Sequence, residues 1–460
     1  MKSTPAVLAA LLALPSLAAA DSLDRNPEIA AVVSEVSPAR IEHTIRTLVS
    51  FGTRNSLSDT TSETRGIGAA RRWIKSELER CSRESGGRLQ VEFDPHHVET
   101  GSRIPHPVDI VNVVATLPGV QPESRDRIYV VSGHYDTMPS HPTDGEKDAP
   151  GANDDASGTA VSMELACVMA RHRFDATLVF MTVAGEEQGL YGSTGFATAA
   201  KEKGLDIAGM LDNDIVGNTR SAEGAIDQGR VRLFAQGVPP TKEPTTEQLR
   251  MLHTGGENDF PPRELARAVA RAARMYVPGL RVQLVWRRDR YLRGGDHIPF
   301  LEAGYPAVRF TEPVEDWHHQ HQDVRVEDGI QYGDLPQFVD FGYVAQVARV
   351  NGAALASLAL APAVPHEVRI EALKLENDTT LRWAANREPD LAGYRIVWRD
   401  TTAPDWQHAK DVGNVTRATL PGVSKDNFVF GVQAYDRDGN VSPAAYPSPF
   451  YPPRLRAPAK

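Results

Sequence analysis

"DATLVFMTVAGEE", residues 175 to 187, is an apolar run that stops at Gly185 and is followed at once by two acids. The run is too short and too rich in β-branched residues for a core helix. It reads as a strand buried on both faces, a pattern characteristic of parallel sheets covered by helices. Glu186 and Glu187 then stand just past its carboxyl end.

Neighbouring stretches repeat this design. "RIYVVSGHYD" (127 to 136) is a second such strand and ends in His134 and Asp136, and "IAGMLDNDIVG" (207 to 217) is another and carries Asp214. "DIVNVVATLPG" (109 to 119) is a fourth strand, and "SGTAVSMELACVMARH" (157 to 172) is a helix between two of them. Residues 37 to 83 read as helices, with Ile41, Ile45, Leu48 and Val49 and then Trp73, Ile74 and Leu78 recurring at helical spacing. The expected fold is α/β, a mostly parallel central sheet flanked by helices.

Residues 219 to 262, rich in Gly, Pro and polar side chains, read as irregular surface loops. A helix is expected at "PRELARAVARAARMY" (262 to 276), strands at "RVQLVW" (281 to 286) and "AVRFTE" (307 to 312), and a last helix across 338 to 360 with Phe338, Phe341, Val344 and Val347 facing inward. "APAVP" (361 to 365) reads as a linker. From 366 to 460 the pattern changes to short alternating strands separated by turn residues, which predicts a small all-β sandwich with Trp383, Tyr394 and Trp398 used in packing.

Bulk properties narrow the function. The chain has 460 residues, 41% hydrophobic and 24% charged, a balance expected of a globular protein. Its net charge of −10, without clustered basic residues, argues against a nucleic-acid partner. Residues 1 to 20, "MKSTPAVLAALLALPSLAAA", have the lysine, apolar stretch and small-residue end of a secretory signal, so a secreted or periplasmic protein is expected. No later segment is apolar enough to suggest a membrane anchor. Cys81 and Cys167 fit either one bridge or two buried thiols.

The acids and imidazoles carry the chemistry. His134, Asp136, Glu186, Glu187 and Asp214 follow strands, and in an open α/β sheet ligands collect beyond the strands' carboxyl ends. "PGANDDASG" adds Asp154 and Asp155 ahead of a helix, and "DWHHQHQD" adds His318, His319 and His321 on a loop. Each piece alone has an ordinary use as a helix cap, a solvated loop or a surface cluster. Together, so many carboxylates in one cleft repel one another unless a cation neutralises them. Imidazole with carboxylate suits zinc, and a second ion about 3.5 to 4 Å away would let one carboxylate bridge both. One acid of the Glu186–Glu187 pair then binds metal while its neighbour takes a proton from water.

The ordered set H-x-D, N-D-D-x-S-G, G-E-E-x-G-L-x-G-S, D-I-V-G and H-x-x-x-D, spread over residues 37 to 360, resembles metallopeptidase family 28, the secreted co-catalytic dizinc aminopeptidases of leucyl aminopeptidase type. The resemblance implies a peptidase domain over 21–360. It implies two zinc ions: His134 and Asp214 on one, Glu187 and His319 on the other, and Asp154 bridging. It further implies Glu186 as general base, Asp136 as the residue orienting His134, a cis peptide bond between Asp154 and Asp155, and peptides as substrates. His319 is preferred for its spacing to Asp323, with His318 and His321 as the competing ligands. Asp296 and His297 in "LRGGDHIPF" match a family segment near the substrate pocket and are expected to give structural support.

The C-terminal stretch, 366–460, resembles a fibronectin type III module, with Phe428 where such modules often carry tyrosine, and would serve binding or spacing for a partner the sequence does not identify. Competing functions are a carboxypeptidase, for which Arg287, Arg288, Arg290 and Arg293 would anchor a substrate carboxylate, a one-zinc glutaminyl cyclase, and a non-catalytic binding protein.

Overall fold

A computed structural model of the chain describes residues 25–239 and 243–450, so the expected signal segment at 1 to 20 lies outside the described residues. The chain begins with helices α1 (Pro27–Glu35), α2 (Pro38–Ser50) and α3 (Gly66–Glu84). An eight-stranded sheet follows: β1 (Gln90–Val98), β2 (Val108–Leu117), β3 (Arg127–His134), β4 (Thr177–Val183), β5 (Asp206–Asn213), β6 (Arg230–Ala235), β7 (Arg281–Val285) and β8 (Ala307–Thr311). Their spatial order is β1-β2-β4-β3-β5-β8-β6-β7. The central block β4-β3-β5-β8 is parallel, as expected, and so is the β6/β7 pair, while β1, β2 and the β6/β8 junction are antiparallel.

Alternation along the central strands explains why the middle of the sheet is buried on both sides. Tyr129 and Val131 of β3 face one core, and Val130 faces the other. The larger core is closed by α1 to α3, by α4 (Ala156–Met169), and further along by α8 (Pro261–Tyr276) and α10 (Phe341–Leu360). On the opposite face lie α6 (Tyr191–Glu202) and α9 (His297–Ala303); a one-turn helix α5 (Glu186–Gly189) precedes α6, and a short α7 (Thr246–His253) lies against the turn at 256–258 and the last strand of the chain. A bond between Cys81 of α3 and Cys167 of α4 resolves the open cysteine question in favour of a bridge.

Two expectations need correction. The tract 219 to 262 is not all loop, because β6 lies inside it, paired on both sides and mostly buried. Its outward arginines disguise it: Arg230 pairs with Asp227 and Arg232 with Glu315, so the polar members of the alternation are held in ion pairs. Phe338 is not on the last helix either. It ends a short turn at Pro336–Phe338, and α10 starts after Asp340, whose carboxylate accepts the Tyr343 amide as the helix cap.

A separate hairpin, β9 (Arg325–Glu327) with β10 (Ile330–Tyr332), precedes the last helix, and after residue 365 the chain forms two small sheets, β15-β12-β11-β17 and β14-β13-β16. The strands are β11 (Arg369–Glu371), β12 (Thr379–Arg382), β13 (Leu391–Asp400), β14 (His408–Gly413), β15 (Arg417–Leu420), β16 (Phe428–Asp436) and β17 (Ser448–Phe450). They share one core in which Trp383 and Tyr394 are buried and Trp398 packs at the margin. This region docks on α8 and the turn before it. Arg399 meets Asp259 at 2.8 Å, and the Trp406 indole N–H donates to Glu264 at 3.1 Å.

Candidate metal centre

The helix α4 is pressed against β3 and β5 at their carboxyl ends. A Cβ on Gly133 would stand 2.1 Å from the Gly158 carbonyl carbon, and one on Gly158 would stand 2.0 Å from the Asn213 carbonyl oxygen. Only glycine at both positions permits this approach. The approach brings the start of α4, where Asp155 caps the helix by accepting the Gly158 amide, against His134 and Ile215. The Asp155 carboxylate also accepts the backbone N–H of His134 at 3.0 Å and of Ile215 at 3.2 Å, tying three elements to one side chain. The Asp154–Asp155 peptide bond is cis.

Around this knot two groups of metal-binding type assemble. His134, Asp154 and Asp214 form one, Asp154, Glu187 and His321 the other, and the donor atoms within each lie within 4.8 Å of one another. Asp154 belongs to both through different oxygens: Oδ1 is 3.1 Å from His134 Nε2, and Oδ2 is 2.9 Å from His321 Nε2. His134 Nε2 is 3.9 Å from Asp214 Oδ1, and His321 Nε2 is 3.1 Å from Glu187 Oε1. Asp136, fully buried, accepts the backbone amides of Glu186 at 3.3 Å and Glu187 at 3.2 Å, and its Oδ1 lies 3.5 Å from His134 Nδ1.

His319, the expected ligand, is not in either group. Its ring stacks on Phe338 with centroids 3.7 Å apart, and its Nε2 lies 3.8 Å from Asp316. The reason is local geometry: His321 takes a left-handed φ of 55°, which turns the loop and delivers its ring, not that of His319, to Asp154 and Glu187. His318 turns to Asp316 at 2.8 Å, and Asp323 pairs with Lys147 at 2.7 Å.

The electrostatics follow from confinement. Desolvation in the cleft pushes Glu186 well above the usual carboxylate range, with Asp214 and Glu187 adding to the rise. Glu187 is raised by burial first. His321, despite its burial, is held well above the ordinary imidazole value by Glu187 and Asp154. Glu187 Oε1 is buried and faces the His321 ring at 3.1 Å outside hydrogen-bond geometry, so the two donor atoms lie side by side as ligands of one cation would.

Several supporting residues were not singled out by sequence reasoning. Asp334 accepts the amides of Asn153 and Asp154 and is pushed up to about 7 by its burial. Buried Arg54 donates to the carbonyls of Tyr135, Pro150 and Gly151, fixing the approach to Asp154. Gln320 donates to Asp154 Oδ2 at 2.8 Å. Buried Arg309 lies 2.8 Å from Asp214 Oδ2. Asp296 and His297 take supporting positions: Ser193 donates to Asp296 at 2.6 Å, and His297 bonds the Arg288 carbonyl at 2.9 Å. Of the four arginines considered as a carboxylate anchor, Arg288 pairs with Glu302 and Arg290 with Glu315, while Arg287 and Arg293 lie over the rings of Tyr291 and Trp317.

Comparison with known proteins agrees with this architecture. Residues 112–335 match the model of peptidase family M28. A protein of Leptosphaeria maculans named "Probable zinc metalloprotease" is 50% identical over 422 residues, covering 92% of this chain and 97% of its own. One of Pyrenophora tritici-repentis with that name is 49% identical over 425 residues, covering 92% and 87%. In fold the chain is similar to the LapA aminopeptidase of Legionella pneumophila, with a TM-score of 0.51 and 21% identity over 74% of this chain and 76% of that one. The two groups sharing Asp154, set where a parallel sheet ends, and relatives identical at half their positions lead to one conclusion: the chain belongs to peptidase family M28.

Proposed function

We propose that the protein is an exported dizinc aminopeptidase in which His134, Asp154 and Asp214 hold one ion, Asp154, Glu187 and His321 hold the other, and Glu186 is the general base. The observation that carries this reading is the division of the Asp154 carboxylate, one oxygen toward each imidazole. The donor set of imidazole and carboxylate fits zinc, and the buried Glu187 oxygen beside the His321 nitrogen supports occupancy by a cation. When bound, zinc lowers the pKa of water toward about 7 and polarises a carbonyl.

The chain's own residues supply the rest. Glu186, the first residue of α5 and half open to the cleft, accepts the proton of the attacking water and returns it to the leaving amine. Its raised affinity for a proton suits both transfers. Asp136 holds the His134 ring and the Glu186–Glu187 backbone together, so the base and the ligand beside it move as one. The pairing of Arg288 and Arg290 with acids supports an aminopeptidase over a carboxypeptidase, and two complete groups support it over one-zinc cyclisation. We propose in addition that 366–460 is a fibronectin type III-like module and that residues 1 to 20 direct export.

The test is hydrolysis of a panel of aminoacyl chromogenic substrates, free and N-blocked, with chelator and with zinc restored. Chelator-sensitive cleavage of the free substrates alone, recovered with two zinc per chain, is the expected result. Preference for N-blocked, C-free dipeptides, or full activity at one zinc with N-terminal glutamine cyclisation, refutes it.

A further inference from the structure

Arg309 lies on β8 in register with Asp212 of β5, two residues before Asp214. It is fully buried and its guanidinium is shared: Nη2 is 2.8 Å from Asp214 Oδ2, Nη1 is 2.7 Å from Asp289 Oδ2, and Nη1 also donates to the Gly294 carbonyl. Asp214 is thereby split as Asp154 is, but to a different end. Oδ2 is committed to a cation built into the protein, and only Oδ1 turns toward His134.

We infer that Arg309 is a positioning residue that restricts Asp214 to one-oxygen ligation and, by neutralising part of its charge, makes the His134–Asp154–Asp214 group the weaker of the two zinc sites. The inference rests on the dizinc reading above. Its physical basis is the charge around each group. Among the described residues Glu187 has no cationic side chain on its carboxylate other than His321 of its own group, whereas Asp214 meets a permanent positive charge at hydrogen-bond distance. A carboxylate that already satisfies a guanidinium donates less charge to a metal, and the guanidinium repels a dication on the far side. Asp289 moderates the effect by sharing the same guanidinium, and it sits on the loop between β7 and α9 whose tip exposes Tyr291 and Leu292. That loop is therefore tied through Arg309 to the first metal group.

The geometry gives two variants with effects of opposite sign. Arg309→Met removes the competing cation and should tighten the weaker site. Asp289→Asn leaves all of the Arg309 charge to Asp214 and should loosen it. Partners that act on a ligand rather than on the metal change affinity by roughly 10- to 100-fold, and shifts of that size are expected. The experiment titrates metal-free full-length protein with zinc against a chromophoric chelator and records the melting temperature of the same samples.

For the natural protein two ions should bind with unequal affinity, and His134→Ala should abolish the weaker phase only. Arg309→Met should tighten that phase and leave the stronger unmoved. Its metal-free form should melt lower and gain more on adding zinc, since Asp214 and Asp289 lose the guanidinium they share. If Arg309→Met fails to fold, loosening of the weaker phase in Asp289→Asn decides the matter. Unchanged constants in both variants, or a shift in the stronger phase, overturns the role of Arg309 while leaving two zinc sites standing. Uptake of fewer than two zinc ions by the natural protein overturns the dizinc reading itself.

Discussion

Replacing His321 and His319 one at a time by alanine separates ligand from neighbour. His321 Nε2 lies 2.9 Å from Asp154 and 3.1 Å from Glu187, so its loss leaves two buried carboxylates to hold an ion without an imidazole. Removing a residue that merely orients a ligand costs roughly 10- to 100-fold in metal affinity. Removing the ligand itself should exceed the upper figure, which is more than about 2.8 kcal/mol of binding free energy at about 1.4 kcal/mol per tenfold. His319 contributes a stacked contact with Phe338, and an aromatic pair of this kind is worth about 0.5–1.5 kcal/mol of fold stability. Its removal should lower the melting temperature slightly and leave zinc content unchanged. The assay is zinc per chain after dialysis against buffered zinc, with aminoacyl-substrate hydrolysis measured on the same samples. His321→Ala should fall from two zinc to one and lose at least about 100-fold in rate at limiting zinc. Loss of an ion in His319→Ala with both retained in His321→Ala would refute the reading of the loop.

Two further outcomes are expected. Glu186→Gln should keep both zinc ions and reduce kcat by about 10²- to 10⁴-fold, as loss of a general base does, and a rate within threefold or so of the natural one would remove Glu186 from that role. Glu264, buried between Arg267 and Trp406 where the C-terminal region docks, is pushed up to about 7 by its burial. A carboxyl raised in the folded state favours that state at low pH. Its contribution is complete below about 4.5 and is lost as pH rises toward 7, to the extent of about 3 kcal/mol at most. The difference in unfolding free energy between the natural protein and Glu264→Gln should therefore change between pH 4.5 and 7, and a difference that is flat across that window would show the carboxyl titrating normally.

The portions of this site that could be read from the sequence are those set by regular structure. Strands β3, β4 and β5 are apolar runs because both their faces are covered, and a parallel block has only one crevice at its carboxyl ends. That is why His134, Glu187 and Asp214 could be assigned to one cleft from strings of hydrophobic residues alone, with Asp154 joining them through the helix cap of Asp155. The histidine loop follows no such rule. Which of three close imidazoles enters the site depends on a single left-handed residue, His321, and on Phe338 and Asp316 holding the other two away, and these are contacts made only after folding. Arg309 eluded the pattern for a related reason. Within "AVRFTE" it reads as the polar member of an alternating strand, yet it is fully buried, because Asp214 and Asp289 converge on it from other elements. A charge can be placed in the middle of a core strand only where tertiary structure supplies its counter-ions, so such a residue, anomalous by its own strand's pattern, marks the place where the sheet and the candidate metal site are mechanically joined.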